Sequence, residues 1–250
     1  MPERRTALLA TFALLLVTAC WGSTFFLIKD LLERVPVLDF LAVRFAIATV
    51  ALFLLFPRAL RRLSPFARRQ AVVLGLLYGV AQILQTEGLA HTPASISGFI
   101  TGMYVICTPL LAAPLLRQRI GAWSTPQDAM GLTIVQLGVI TVICFVVTVP
   151  DGVVLPSTLA DWASVIYMAV FAAALALAAQ TWAQAHLPPT RSAIIMSMEP
   201  VFAAFFAVLL GGEDMTLRLL VGGGMVVAAM LVVEVAPRRK VEAEVPHIAV

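Results

Sequence analysis

Two carboxylates, one guanidinium and a set of amides and aromatic rings lie inside stretches of chain that are otherwise apolar. Glu87 stands near the end of one such stretch, and Glu199 lies within another, directly before Pro200. Ionisable groups are expensive in hydrocarbon and suggest a site. Pro200 also removes one backbone hydrogen bond and leaves a carbonyl free nearby. A carboxylate beside it binds a cation, carries a proton, or bonds freed backbone donors of a neighbouring helix. Glu87 reads either as a site group or as an interface carboxylate reached by water. Arg44 either snorkels outward or pairs with Asp39 or Glu87. Gln82, Gln85, Gln136, Gln180 and Gln184 suit a polar metabolite, and they suit helix–helix adhesion equally. Trp21, Tyr78, Tyr104 and Trp182 are rings for stacking on a ligand or for anchoring at an interface.

The elements that carry these groups follow from composition. The chain has 250 residues, 61% hydrophobic and only 12% charged, and its mean hydropathy is +0.97. A soluble fold of this size cannot hide so much apolar surface, so the solvent for most of the chain is lipid. A soluble enzyme, a disordered regulator and a nucleic-acid binder are excluded. Cys20, Cys107 and Cys144 all lie in apolar segments without CxxC spacing, which implies neither a disulfide framework nor a zinc site. Nothing resembles a P-loop, HExxH or GxSxG, and no cofactor or enzyme activity is expected.

A crossing helix needs about 20 apolar residues. Eight such stretches are present: Ala7–Ile28, Val37–Phe56, Ala71–Ala90, Ala94–Leu116, Ala129–Val149, Leu159–Ala185, Arg191–Leu210 and Leu217–Ala236. Prolines and glycines punctuate the gaps, as at Pro150-Asp151-Gly152 and Pro188-Pro189. Long, non-alternating runs argue against a β-barrel. With both termini in the cytoplasm, 13 of the 17 Lys and Arg fall inside, including the run from Arg58 to Arg69. The opposite orientation would invert that bias. A competing reading takes Arg4-Arg5 and Val17-Thr18-Ala19-Cys20 as a lipoprotein signal, but the apolar run continues past Cys20.

Two fragments of the chain repeat. Gln85-Thr86-Glu87-Gly88-Leu89-Ala90-His91 matches Gln180-Thr181-Trp182-Ala183-Gln184-Ala185-His186 at an offset of 95 residues. Thr108-Pro109-Leu110-Leu111-Ala112-Ala113 matches Glu199-Pro200-Val201-Phe202-Ala203-Ala204 at an offset of 91. The third span runs outward and the sixth inward on this topology. The repeats are therefore inverted, an arrangement that underlies alternating access. His91 and His186 then lie at opposite faces, which argues against a shared metal site.

Three places resemble the EamA family of the drug/metabolite transporter superfamily. They are Ala19-Cys20-Trp21-Gly22-Ser23-Thr24-Phe25-Phe26 with Pro36 and Arg44-Phe45, then Gln85 through Ser97 with Thr108-Pro109, and Met198-Glu199-Pro200 with Gly212-Glu213 and Gly222-Gly223-Gly224. The family pattern has ten spans in two five-helix repeats. Here Leu116-Arg117-Gln118-Arg119-Ile120 runs directly into Gly121-Ala122-Trp123, which resembles the loop before the seventh span. The fifth and sixth spans are missing on this reading, with a junction near Ile120–Gly121.

The resemblance implies an all-α, inverted-repeat bundle, incomplete against the ten-helix pattern. Residues 1–120 form a first repeat of four spans, 121–236 a partial second repeat of four, and 237–250 a cytoplasmic tail. It implies a secondary transporter in the inner membrane that exports small organic metabolites or drugs, with the bilayer and the substrate as partners. Trp21, Ser23, Tyr78, Gln85, Gln180 and Trp182 would line the cavity. Glu87 and Glu199 are the candidates for proton coupling. Arg44, Pro109, Pro200, Gly222, Gly223 and Gly224 are structural. The alternative is a truncated chain that no longer transports, or one that needs a second copy, as a homodimer, to complete the path.

Overall fold

Lipid offers backbone amides no partner, so the chain satisfies them internally as helices. The computed structural model describes residues 2–104, 107 and 126–235, and these contain helices and turns but no strand. In chain order the helices are α1 (Pro2–Leu32), α2 (Val37–Leu55), a short α3 (Ala59–Arg62), α4 (Pro65–His91), α5 (Ala94–Gly102), α6 (Pro126–Thr148), α7 (Leu159–Ile166), α8 (Ala176–His186), α9 (Pro189–Met196), α10 (Glu199–Leu209) and α11 (Leu217–Val235). Nine residues of π-helix, Tyr167–Leu175, join α7 to α8 into one element. Six described segments are long and apolar enough to cross a membrane, and α11 contains a shorter apolar stretch, Leu217–Ala229. The protein is a multi-pass, all-α membrane protein.

The expected spans correspond to these helices, with differences that have physical causes. The first and third are longer than their apolar cores; the third starts early because Ser64 caps α4, accepting from the Ala67 amide at 3.1 Å ahead of Pro65. The seventh is two helices, broken at Ser197–Met198 just before Glu199-Pro200. The second half of the fourth span, Pro109 and the junction at Ile120–Gly121 lie outside the described residues.

Hydroxyls inside the spans are quieted by their own backbone. Thr18 donates to the Leu14 carbonyl, Thr49 to Phe45, Thr141 to Leu137 and Thr181 to Leu177, each at 2.7–2.8 Å. They therefore ride in apolar helices without needing a distant partner.

Small residues bring the helices together, as expected where packing rather than hydrophobicity drives association. α1 crosses α10 at Gly22, where an added Cβ would stand 2.8 Å from the Ala203 nitrogen. α4 meets α6 at Gly75, where a Cβ would fall 3.0 Å from the Gln136 Cα. The main core gathers Phe25, Ile28 and Leu31 of α1, Phe40, Phe45 and Leu52 of α2, Ile134 and Ile140 of α6, and Met168 of the π-helical segment. A smaller cluster packs Ala10 and Leu14 against Ala183, Leu187 and Ile195.

Two ion pairs that share Arg34 join α1 to α7. Arg34, just past α1, donates to Asp30 at 2.6 Å and to Asp161 of α7 at 2.8 Å. These bonds, Asp30's first, raise the Arg34 pKa further above its ordinary value.

Candidate functional site

The face of α1 that carries Trp21 repeats at helical spacing through Thr24, Phe25 and Ile28, and all four reach one central cavity of about 360 Å³. Tyr78, Gln82, Gln85 and Leu89 do the same from α4. Arg44 and Phe45 come from α2, and Thr101 and Tyr104 from α5 and the turn after it. The far wall is Leu137 of α6, Ala172, Ala173 and Leu177 from the π-helical segment and α8, with Met196 and Glu199.

The polar groups on this wall are held in place. The Trp21 indole donates from Nε1 to the Ala172 carbonyl at 2.7 Å, which anchors the ring in the cavity wall. Its neighbour Ser23 is hydrogen-bonded to the Tyr167 hydroxyl at 2.9 Å and donates to the Cys20 carbonyl. Both residues thus fasten α1 to the π-helical turns, a departure from α-geometry that is frequent at functional sites. Gln85 donates to the Thr101 hydroxyl at 3.0 Å and ties α4 to α5. Gln82 donates to the Tyr78 hydroxyl at 2.9 Å, and the Tyr78 ring meets Phe45 edge-on.

Two ionisable groups face the same space. Glu199 is the first residue of α10, immediately after the break, and forms no ion pair among the described residues. The break is stabilised by the Ser197 hydroxyl donating to the Ile194 carbonyl at 2.8 Å. Arg44 neither snorkels to a carboxylate at the surface nor pairs with Asp39 or Glu87. Its guanidinium lies 5.7 Å from the Phe40 ring centre and 5.4 Å from that of Phe45.

Of the expected site residues, Trp21, Tyr78, Gln85 and Glu199 are brought together, with Arg44 beside them. Ser23 is buried behind the wall. Gln180 donates to the Met196 sulfur at 3.5 Å and so sits behind Met196. Trp182 is exposed and packs at a tilt against the His186 ring. Glu87 is exposed and bonds His91 at 3.3 Å, away from the cavity. Pro200 is buried at the start of α10. Gly223 faces the Phe99 ring, where a Cβ would collide, while Gly222 and Gly224 meet open space. Thr24, Phe25, Phe45 and Thr101 were not expected. The spacing of three and four residues from Trp21 is the signal that marks Thr24 and Phe25.

The profile of the EamA-like transporter family matches the chain twice, over residues 8–144 and 126–235. An uncharacterized transporter of Archaeoglobus fulgidus is 25% identical over 279 aligned residues, covering 90% of this chain and 86% of the relative. No solved structure matches the chain. The two family matches together span most of the sequence, and the chain belongs to the EamA-like transporter family.

Proposed function

We propose that this membrane transporter is a secondary carrier that exports small organic metabolites or drugs through the central cavity by alternating access. The supporting observation is that one cavity is walled by helices from both family matches, with polar groups on one side and a lone carboxylate on the other. Rocking of the two halves against each other would open that cavity to each side of the membrane in turn. The positive-charge bias supports cytoplasmic termini, as in a carrier of the inner membrane. Glu199 is the coupling group. It faces the cavity at a helix break and forms no ion pair among the described residues, which leaves it to take up and release a proton.

Proteoliposomes under an imposed pH gradient test this, with an internal pH dye reporting proton movement as metabolites are added. Wild type should move protons with at least one substrate. Glu199→Gln should remain folded in the membrane and lose pH-dependent transport. Unchanged pH dependence in that variant would refute the coupling role.

One observation favours a second reading, in which two copies complete the path. The α4 segment has only 22% of its apolar window buried, against 39% for its repeat mate Leu159–His186. The alignment to the archaeal transporter is also longer than this chain, so the relative carries residues without counterpart here. Absence of a fifth and sixth span would leave α4 without its neighbour. The mass of the detergent-solubilised particle decides: twice 26.8 kDa supports the paired carrier, and a lone 26.8 kDa chain refutes it.

A further inference from the structure

We propose that Arg44 anchors a carboxylate on the carried molecule, an assignment that rests on the carrier reading above. Arginine keeps its proton in any protein setting, and a charge taken out of water needs a counter-charge or a full set of hydrogen bonds. Arg44 has neither. Its Nε is buried with no hydrogen-bond partner. The ion pairs among the described residues are those of Arg34 with Asp30 and Asp161, and of His91 with Glu87. Asp39, on the same helix, keeps its own Oδ1 buried and unpartnered rather than turning to Arg44. Glu199 shares the cavity yet forms no ion pair with it.

The aromatic contacts say how the guanidinium is held. Phe40 and Phe45 flank it at 5.7 and 5.4 Å. Such contacts steady a cation and restrict its orientation, but they bring no negative charge. The planar fork is therefore held in the cavity wall beside two rings, with no carboxylate among the described residues paired to it. A carboxylate matches that fork in two parallel hydrogen bonds. Trp21, Phe25 and Tyr104 line the same cavity and supply aromatic surface for an apolar body. A volume of about 360 Å³ suits one small molecule. The ligand class is a small organic carboxylate with an aromatic or branched apolar body. A lipid phosphate presents similar oxyanion chemistry, and the experiment separates the two.

The test uses the full chain in nanodiscs and two probes of the same shape, 3-phenylpropanoate and 3-phenylpropanamide. Wild type should bind the carboxylate at least about tenfold more tightly than the amide, since a charge-assisted pair exceeds a neutral one. Arg44→Gln should erase that preference while holding the amide with its wild-type affinity, which also shows that the variant is folded. Arg44→Lys should restore part of the preference, because it keeps the charge without the fork. No preference in wild type, or a preference that survives in Arg44→Gln, overturns the assignment. So does a preference present in phosphatidylcholine nanodiscs and lost in phosphatidylglycerol ones, which gives the cation to a lipid headgroup. Proteoliposome flux keeps the two readings apart. Arg44-dependent binding without flux overturns the carrier and leaves the anchor. Flux of the amide as fast as the carboxylate leaves the carrier and overturns the anchor.

Discussion

Helix α5 begins after Pro93, whose side chain can accept nothing from the first amides of the helix. Those amides find their acceptor more than a hundred residues away. Glu213, in the turn between α10 and α11, accepts from the Ala94 amide at 2.5 Å, from the Ser95 amide at 3.3 Å and from the Ser95 hydroxyl. One carboxylate thus caps the helix, complements its positive end and staples the two halves of the chain. Glu213→Ala removes all three bonds. A hydrogen bond to a charged group is worth about 1.5–3 kcal/mol, and a charge at a helix N-terminus about 0.3–1 kcal/mol. The contributions do not add, because one bond is long and water can reach the half-exposed turn once the side chain is gone. The expected loss is about 2–3 kcal/mol, at the level of one strong bond plus the helix-end term. At about 2–4 °C per kcal/mol for a chain of this size, Tm should fall by roughly 4–12 °C. Glu213→Gln keeps the shape but turns one acceptor into a donor, so about half the loss is expected. Asp214→Asn, exposed in the same turn, is the control and should leave Tm unchanged. Thermal unfolding in one detergent, followed by tryptophan fluorescence, reads all three. A Glu213→Ala protein that melts within about 1 °C of wild type would show that the cap contributes nothing.

Other substitutions probe the same framework. Trp21→Phe leaves the Ala172 carbonyl without its donor and should cost about 0.6–1.7 kcal/mol, the range measured for hydrogen bonds between membrane helices; a neutral result by thermal unfolding would mean that the indole is not held there. Gly22→Leu should force α1 from α10 and destabilise by about 1–3 kcal/mol or more, while Gly88→Leu, which meets open space, should be silent in the same assay. Asp161→Asn should lower Tm more than Asp30→Asn, because the Asp161 side chain is 4% exposed and the Asp30 side chain 63%, although both bond Arg34; equal effects would deny the burial argument.

Most of the architecture was readable from apolar length alone, because lipid imposes one rule on every span. Val37–Leu55 ends within a residue of the apolar run that specifies it. What length cannot show is an interruption inside an apolar run. The π-helical turns at Tyr167–Leu175 leave no mark in hydropathy, and neither do the bonds from α1 that reach Tyr167 and Ala172 within them from across the bundle. The site divides in the same way. Trp21, Tyr78 and Gln85 were legible as polar or aromatic groups on helices. Gln180 and Trp182 were read in the same way, as an amide and a ring on a helix, and residue type does not set rotation about the helix axis. Glu87 and Trp182 are corresponding positions in the repeat, and both point outward.

The distribution of polarity in the cavity bears on how a carrier of this kind would work. The helices before residue 105 bring Arg44, Tyr78, Gln82, Gln85, Thr101 and Tyr104, whereas the lining residues after residue 125 are apolar apart from Glu199. A smooth apolar wall can slide against a bound molecule without breaking hydrogen bonds, because dispersion contacts are many, weak and non-directional. A polar wall cannot, since each unmade bond in a dry site costs its desolvation. On the carrier reading, substrate therefore travels with the first half of the chain and the second half moves past it. The one exception on the moving wall is the carboxylate. Protonation would remove its charge and let it slide like its neighbours, while ionisation would hold it to whatever cation or donor it meets. Glu199→Leu should then free that motion, giving faster exchange of bound probe across the membrane without any response to pH. Slower exchange than wild type would place the resistance to movement elsewhere and refute the sliding-wall argument.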